Sequence, residues 1–190
     1  MGPGPNVFGG EGVRVDRFGY LHLGVGLYGG RWICSEVVLT RSLGFGEYRF
    51  DVGDASGIDP NIVFGLFTWD PAAREEQYRE LDIEISRWGD PHKANSQFVI
   101  QPFTRPQNLD RFELPPGRAI LSLDWTPHRL LARATVGGKV VREHLFVEGI
   151  PEPGDARVRL NLWLYRASPP EKPVEVIVNR FDFIPLRKGH

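Results

Sequence analysis

The chain has 190 residues, 41% hydrophobic and 12% aromatic, and a formal net charge of -1; this is the makeup of one globular domain and gives no general attraction to nucleic acid or to an anionic membrane. Its single cysteine, Cys34, excludes an intramolecular disulfide and a cysteine zinc site, and it sits in an apolar pattern as a buried small residue would. No apolar run reaches membrane-spanning length and no charged segment followed by an apolar one opens the chain, so a soluble chain is expected; it is read as a single domain over residues 1–190 and as a monomer.

Residues 1–12, rich in Gly and Pro, read as an irregular arm. Strands are expected at Val13–Asp16 and Tyr20–Leu27, then one long strand at Arg31–Ser42 after the Gly29-Gly30 turn. Glu47–Val52 follows, and Ile62–Trp69 is a nearly continuous apolar run, as in a strand buried on both faces. Pro71–Arg79 is the one helix-like piece and lacks an apolar face, so it reads as a loop with a single helical turn.

Glu80–Trp88 alternates strictly. One face carries Glu80, Asp82, Glu84, Ser86 and Trp88, and the other carries Leu81, Ile83 and Ile85. Strands are expected next at Asn95–Phe103, Arg111–Leu114, Ala119–Trp125 and Arg129–Val136, then through the Gly137-Gly138 hairpin at Lys139–Phe146. Arg157–Arg166 alternates again, with Leu160, Leu162 and Leu164 opposite Asn161, Trp163 and Tyr165, and Val174–Pro185 closes the chain. Many short strands and almost no helix give an all-β fold: a two-sheet antiparallel β-sandwich with the leucines and isoleucines between the sheets.

Three carboxylates on one face of one strand repel each other, and folding does not require them. A solvated acidic edge is the plain explanation. Glycoside hydrolysis is the chemical one, since it needs two carboxyl groups flanking a glycosidic bond, one ionised and one protonated. Asp82, between Glu80 and Glu84, would hold that pair in different protonation states. On a straight strand residues i and i+4 lie about 13–14 Å apart, whereas a retaining mechanism places the carboxyl groups about 5–5.5 Å apart. The side chains must therefore lean together across Asp82. Aromatic rings beside the acids would cover the apolar faces of sugar rings.

These residues resemble glycoside hydrolase family 16, the laminarinase and lichenase group, over nearly the whole chain. Glu80-Leu81-Asp82-Ile83-Glu84 fits that family's E-x-D-x-E motif. Gly19–Leu23, Ser42–Phe50, Asp124-Trp125-Thr126-Pro127, Asn161-Leu162-Trp163 and Val174–Pro185 resemble its flanking stretches in order. The resemblance implies a concanavalin-like jelly roll with a concave sugar-binding cleft, an extracellular location and a polysaccharide or oligosaccharide substrate.

By position the resemblance makes Glu80 the nucleophile, Glu84 the general acid/base and Asp82 their modulator. It places Phe67, Trp69 and Tyr78 as cleft aromatics, Asn161 and Trp163 on a strand that contacts sugar, Gln97 and Gln101 on the strand after the motif, and Glu36 as a polar cleft residue. Trp88 is expected at the rim, and Trp125 and Phe98 in the core. No cofactor is expected: the five histidines lack metal-ligand spacing, although the fold can carry a structural calcium on backbone oxygens. The rival to a hydrolase is a non-catalytic carbohydrate-binding module on the same sandwich, which has no need of Glu80 and Glu84 together.

Overall fold

A computed structural model describes residues 3–187. In chain order the strands are β1 (Val13–Val15), β2 (Leu21–Tyr28), β3 (Arg31–Ile33), β4 (Ser35–Val38), β5 (Gly46–Val52), β6 (Ile62–Trp69) and β7 (Leu81–Ile85). They continue with β8 (Ser96–Ile100), β9 (Leu109–Phe112), β10 (Ala119–Thr126), β11 (Arg129–Val136), β12 (Lys139–Phe146), β13 (Arg157–Leu164) and β14 (Val174–Pro185). Eight of them form one sheet in the order β1-β2-β14-β5-β10-β11-β12, with β3 also on β2; six form the other in the order β4-β13-β6-β7-β8-β9. Every paired ladder is antiparallel.

The expected all-β sandwich is the observed fold, and its core follows from the period-2 pattern. Leu81, Ile83 and Ile85 of β7 and Leu160, Leu162 and Leu164 of β13 point between the sheets. There they meet Leu23, Tyr48, Phe50, Leu121, Leu123 and Trp125 of the eight-stranded sheet. Each fully buried aliphatic side chain contributes about 1.5–3 kcal/mol. Trp125 and Phe98 are both fully buried, as expected, and the Trp125 indole N–H donates to the Pro151 carbonyl at 3.0 Å. Cys34 is also buried and free.

The structure departs from the expected strands at several places: the strand expected at Asn95–Phe103 stops at Ile100, the one expected at Arg111–Leu114 is Leu109–Phe112, and three further departures bear on the site. The single long strand expected at Arg31–Ser42 is two strands in different sheets: β3 pairs with β2, β4 pairs with β13, and the chain crosses between sheets at Cys34. A residue at such a crossing loses its ladder partners. The N-terminal arm supplies them, since Cys34 N–H donates to Val7 O at 2.8 Å and Cys34 O accepts from Gly9 N–H at 3.0 Å. The arm is therefore docked, with Phe8 packed against the core. Secondly, the acidic strand ends at Ile85: the next residues turn, with Trp88 at φ 47° and Gly89 at φ 77°. Thirdly, β13 ends at Leu164, where Arg166 and Ala167 adopt φ 53° and 54°.

Candidate functional site

The alternation that buries Leu81, Ile83 and Ile85 turns Glu80, Asp82 and Glu84 to the outer face of the six-stranded sheet. Cross-strand register then fixes their neighbours. One row across the sheet reads Glu36, Asn161, Gly65, Glu84, Gln97, Arg111. The next reads Val38, Arg159, Phe67, Asp82, Val99, Leu109. Beyond that, Trp69 pairs with Arg157, and Glu80 O accepts from Gln101 N–H at 3.1 Å. On the other side, Trp163 pairs with Val63. Glu36, Phe67, Trp69, Glu80, Asp82, Glu84, Gln97, Gln101, Asn161 and Trp163 thus share one face.

Glu80 lies just before β7, and the segment ahead of it is held tightly. Gln77, Tyr78 and Arg79 have φ of 51°, 57° and 55°, three successive non-glycine residues in the left-handed region, which costs free energy that the surroundings must offset. Thr68 Oγ1 donates to Arg79 O at 2.9 Å and accepts from Leu81 N–H at 3.2 Å, while Asp70 N–H donates to Tyr78 O at 2.8 Å. This conformation lays the Tyr78 ring on Trp69, with centroids 4.0 Å apart and planes 12° from parallel. The two expected platforms are therefore one stacked pair, with one face of each ring covered by the other. Trp88 reaches the site by its turn and not by alternation; the Arg111 guanidinium lies 4.3 Å above its ring.

The three acids are poorly solvated, and that dominates their electrostatics. Burial pushes Glu80 up to about 8, a hydrogen bond from Asp82 pulls it down, and the nearby Glu84 charge pushes it up again. Asp82, only 4% exposed, is raised well above the usual aspartate range by burial and by the Glu80 and Glu84 charges. The coupling between Glu80 and Asp82 lowers the first and raises the second, so of the two Asp82 keeps its proton longer. Burial also raises Glu84, against the Gln97 hydrogen bond and the Arg111 charge.

Gln97 of β8 and Gln101 just past its end orient toward these acids by the same device. Gln101 Oε1 accepts from Phe103 N–H at 3.0 Å, leaving Nε2 to donate to Asp82 Oδ2 at 3.1 Å. Gln97 Oε1 accepts from Arg111 Nη2 at 2.5 Å, leaving Nε2 to donate to Glu84 Oε2 at 2.5 Å. Asn161 is 3% exposed, and its Oδ1 has no hydrogen-bond partner. A Cβ added at Gly65 would lie 2.5 Å from that oxygen, so the missing side chain of Gly65 is what lets Asn161 lie across β6.

Sequence reasoning missed Gly65, Arg159 and Arg111. Arg159 pairs with Glu36 at 2.9 Å and also lowers Glu80. Its parity with Asn161 on β13 was the available signal, and the isolated glycine in the apolar run of β6 was the signal for Gly65. Arg111 sits on an edge strand whose register the sequence does not reveal. Among the described residues, no group of three or more His, Cys, Asp or Glu side chains is placed to hold a metal ion, and no helix is long and apolar enough to cross a membrane.

The structure resembles a β-1,3-1,4-glucanase (lichenase) derived from a mouse hindgut metagenome, with a TM-score of 0.73 at 17% identity over 97% of this chain and 90% of that one. It resembles the β-glucanase of Bacillus licheniformis equally, at 0.73 and 17% over 96% of this chain and 86% of that one. The chain has the β-glucanase fold. An immunostimulatory antigen and pseudo β-1,3-glucanase of Mycobacterium tuberculosis shares this β-glucanase fold, with a TM-score of 0.67 at 16% identity over 93% and 79% of the two chains. No protein-family model and no curated protein matches the sequence.

Proposed function

We propose that this chain is a retaining glycoside hydrolase that cuts internal bonds of a β-linked polysaccharide, with β-1,3- and β-1,3-1,4-glucans the first substrates to try. The observation that carries this reading is the run Glu80, Asp82, Glu84 on the outer face of the six-stranded sheet, poorly solvated, with Gln101 donating to Asp82 and Gln97 donating to Glu84. The β-glucanase fold and the lichenase among its neighbours support it.

In this reading Glu80 attacks the anomeric carbon. Asp82 keeps its proton after Glu80 has lost its own, so Glu80 becomes the carboxylate as pH rises through about 8. Glu84 protonates the departing oxygen and then, as a base, activates water to hydrolyse the glycosyl-enzyme. Esterification of Glu80 removes its charge from the cluster, so the cluster retains protons less strongly once the intermediate has formed. The rate follows a bell in pH whose limbs belong to the three coupled acids together. Trp69, Tyr78 and Trp163 would meet the sugar rings on either side of the acids.

A binding module is the second reading, favoured by the pseudo β-1,3-glucanase among the neighbours. A reducing-sugar screen over laminarin, lichenan, xyloglucan, agarose and carrageenan separates the two. Release that is abolished by Glu80→Gln supports the hydrolase. With an activated leaving group, Glu84→Gln should accumulate a protein adduct one glycosyl unit heavier, visible by intact mass. Binding without release on every glycan, or full turnover by Glu80→Gln, overturns the hydrolase.

A further inference from the structure

We propose that Arg111 is a positioning residue for Glu84: it holds the amide oxygen of Gln97, and so keeps the amide N–H of Gln97 turned toward the Glu84 carboxylate. The proposal takes its catalytic meaning from the reading of Glu84 as acid/base, while the hydrogen-bond order stands on geometry alone.

Arg111, Gln97 and Glu84 are direct cross-strand neighbours on β9, β8 and β7. A guanidinium only donates, so the Gln97 atom facing Arg111 at 2.5 Å is the oxygen. The amide nitrogen then faces Glu84 Oε2 at 2.5 Å. Without Arg111 the amide is free to turn over. A turned amide presents its oxygen to Glu84 and accepts from the protonated carboxyl, which favours the proton staying on. With Arg111 in place only the donor is available, which favours the carboxylate. Glu84 must pass between these two forms once in each direction per turnover, so fixing the amide keeps both forms within reach of the operating pH.

Arg111 is itself held. Its guanidinium lies on the Trp88 ring, and the planar fork makes that contact and the Gln97 bond together in a way a lysine ammonium does not. The other groups facing Glu84 do not substitute for it. Glu80 and Asp82 on the same strand carry the same charge sign as Glu84, Gly65 on β6 has no side chain, and Asn161 on β13 is neutral. Arg159, the cation of the neighbouring row, is paired with Glu36.

The test is a double-mutant cycle read by NMR on the intact chain. The Glu84 carboxyl is followed by carbon-13 through pH, assigned by its loss in Glu84→Gln, and the Gln97 side-chain amide by nitrogen-15. Arg111→Met should raise the Glu84 midpoint by about one pH unit and move the Gln97 amide resonances. In a Gln97→Met background the same substitution should move Glu84 by less than half as much. An unchanged midpoint in Arg111→Met overturns the proposal. So does an undiminished shift in the Gln97→Met background, which would mean the guanidinium acts through space only. Arg111 is exposed on an edge strand, and the backbone amide spectrum reports whether each variant keeps the fold. The hydrolase reading fails separately: binding without release on every glycan sinks it while the titration still decides the role of Arg111. With a substrate in hand, the basic limb of the pH profile should rise with the Glu84 midpoint.

Discussion

Glu80→Gln should make this protein more stable as it makes it inert, and the gain should grow with pH. The folded chain holds a proton on Glu80 up to about 8, whereas the unfolded chain releases it near 4.5. Between those values the native state binds more protons than the unfolded state, so stability falls as pH rises from about 4.5 to about 8 and then levels. At about 1.4 kcal/mol for each pH unit, that interval sets a ceiling of about 5 kcal/mol at pH 8.5. The ceiling belongs to Glu80 and Asp82 jointly, because they share a proton. Glutamine keeps the size and an oxygen to accept from Asp82, and it has no charge to desolvate. Urea unfolding at a series of pH values is the assay. At pH 4 the two proteins should share a midpoint. At pH 8.5 the variant should lead by about 2–5 kcal/mol, or about 1–2.5 M urea at a slope near 2 kcal/mol/M. Parallel curves across that range, or a variant weaker than wild type at pH 8.5, would refute the claim that burial of these acids is costly.

Gly65→Ala should destabilise the protein by about 1–3 kcal/mol, because the new methyl must displace the buried Asn161 amide by about an ångström. In an Asn161→Ala background the same change should be nearly neutral, and additive costs in denaturant unfolding would show that the two do not touch. His22 offers a test far from the acids. Its ring is buried between Asp16 Oδ2 at 3.2 Å and Glu175 Oε1 at 2.8 Å, which raises its affinity for a proton. That stabilisation is complete below 6.5 and is lost as pH rises through the higher folded value. The lead of wild type over His22→Gln in thermal unfolding should therefore shrink from pH 6 to pH 9; a constant lead would remove the charge from the account.

The sequence was most legible where one face had to be dry. The alternation of Leu81, Ile83 and Ile85 with the acids, and of Leu160, Leu162 and Leu164 with Asn161 and Trp163, reports a sandwich because a slip of one residue would expose every apolar side chain. It also reports which residues share a face, and all the expected site residues but Tyr78 and Trp88 do so. What it could not report was pairing at a distance. The crossing at Cys34 looks like continuous strand because no Gly or Pro interrupts Arg31–Ser42, and only the pairings and the hydrogen bonds to Val7 and Gly9 reveal that the chain changes sheets there. Arg111 is invisible for a related reason: on an edge strand its neighbours depend on register alone. The Trp69–Tyr78 stack depends on left-handed backbone at three residues with no glycine to announce it.

Because Glu80, Asp82 and Glu84 rise from five consecutive residues, their mutual spacing is a property of one pleated backbone and not of how distant segments assemble. Every loop around the face can lengthen, shorten or be exchanged without resetting that spacing. The arrangement is correspondingly intolerant of one kind of change. A single residue inserted between Glu80 and Glu84 must be absorbed in a β-bulge; otherwise it reverses the facing of everything on one side of it, sending an acid into the apolar layer or an isoleucine out to the glycan. An insertion scan should therefore find the loops around this sheet permissive and the stretch from Glu80 to Glu84 tolerant only of an insertion that a bulge absorbs.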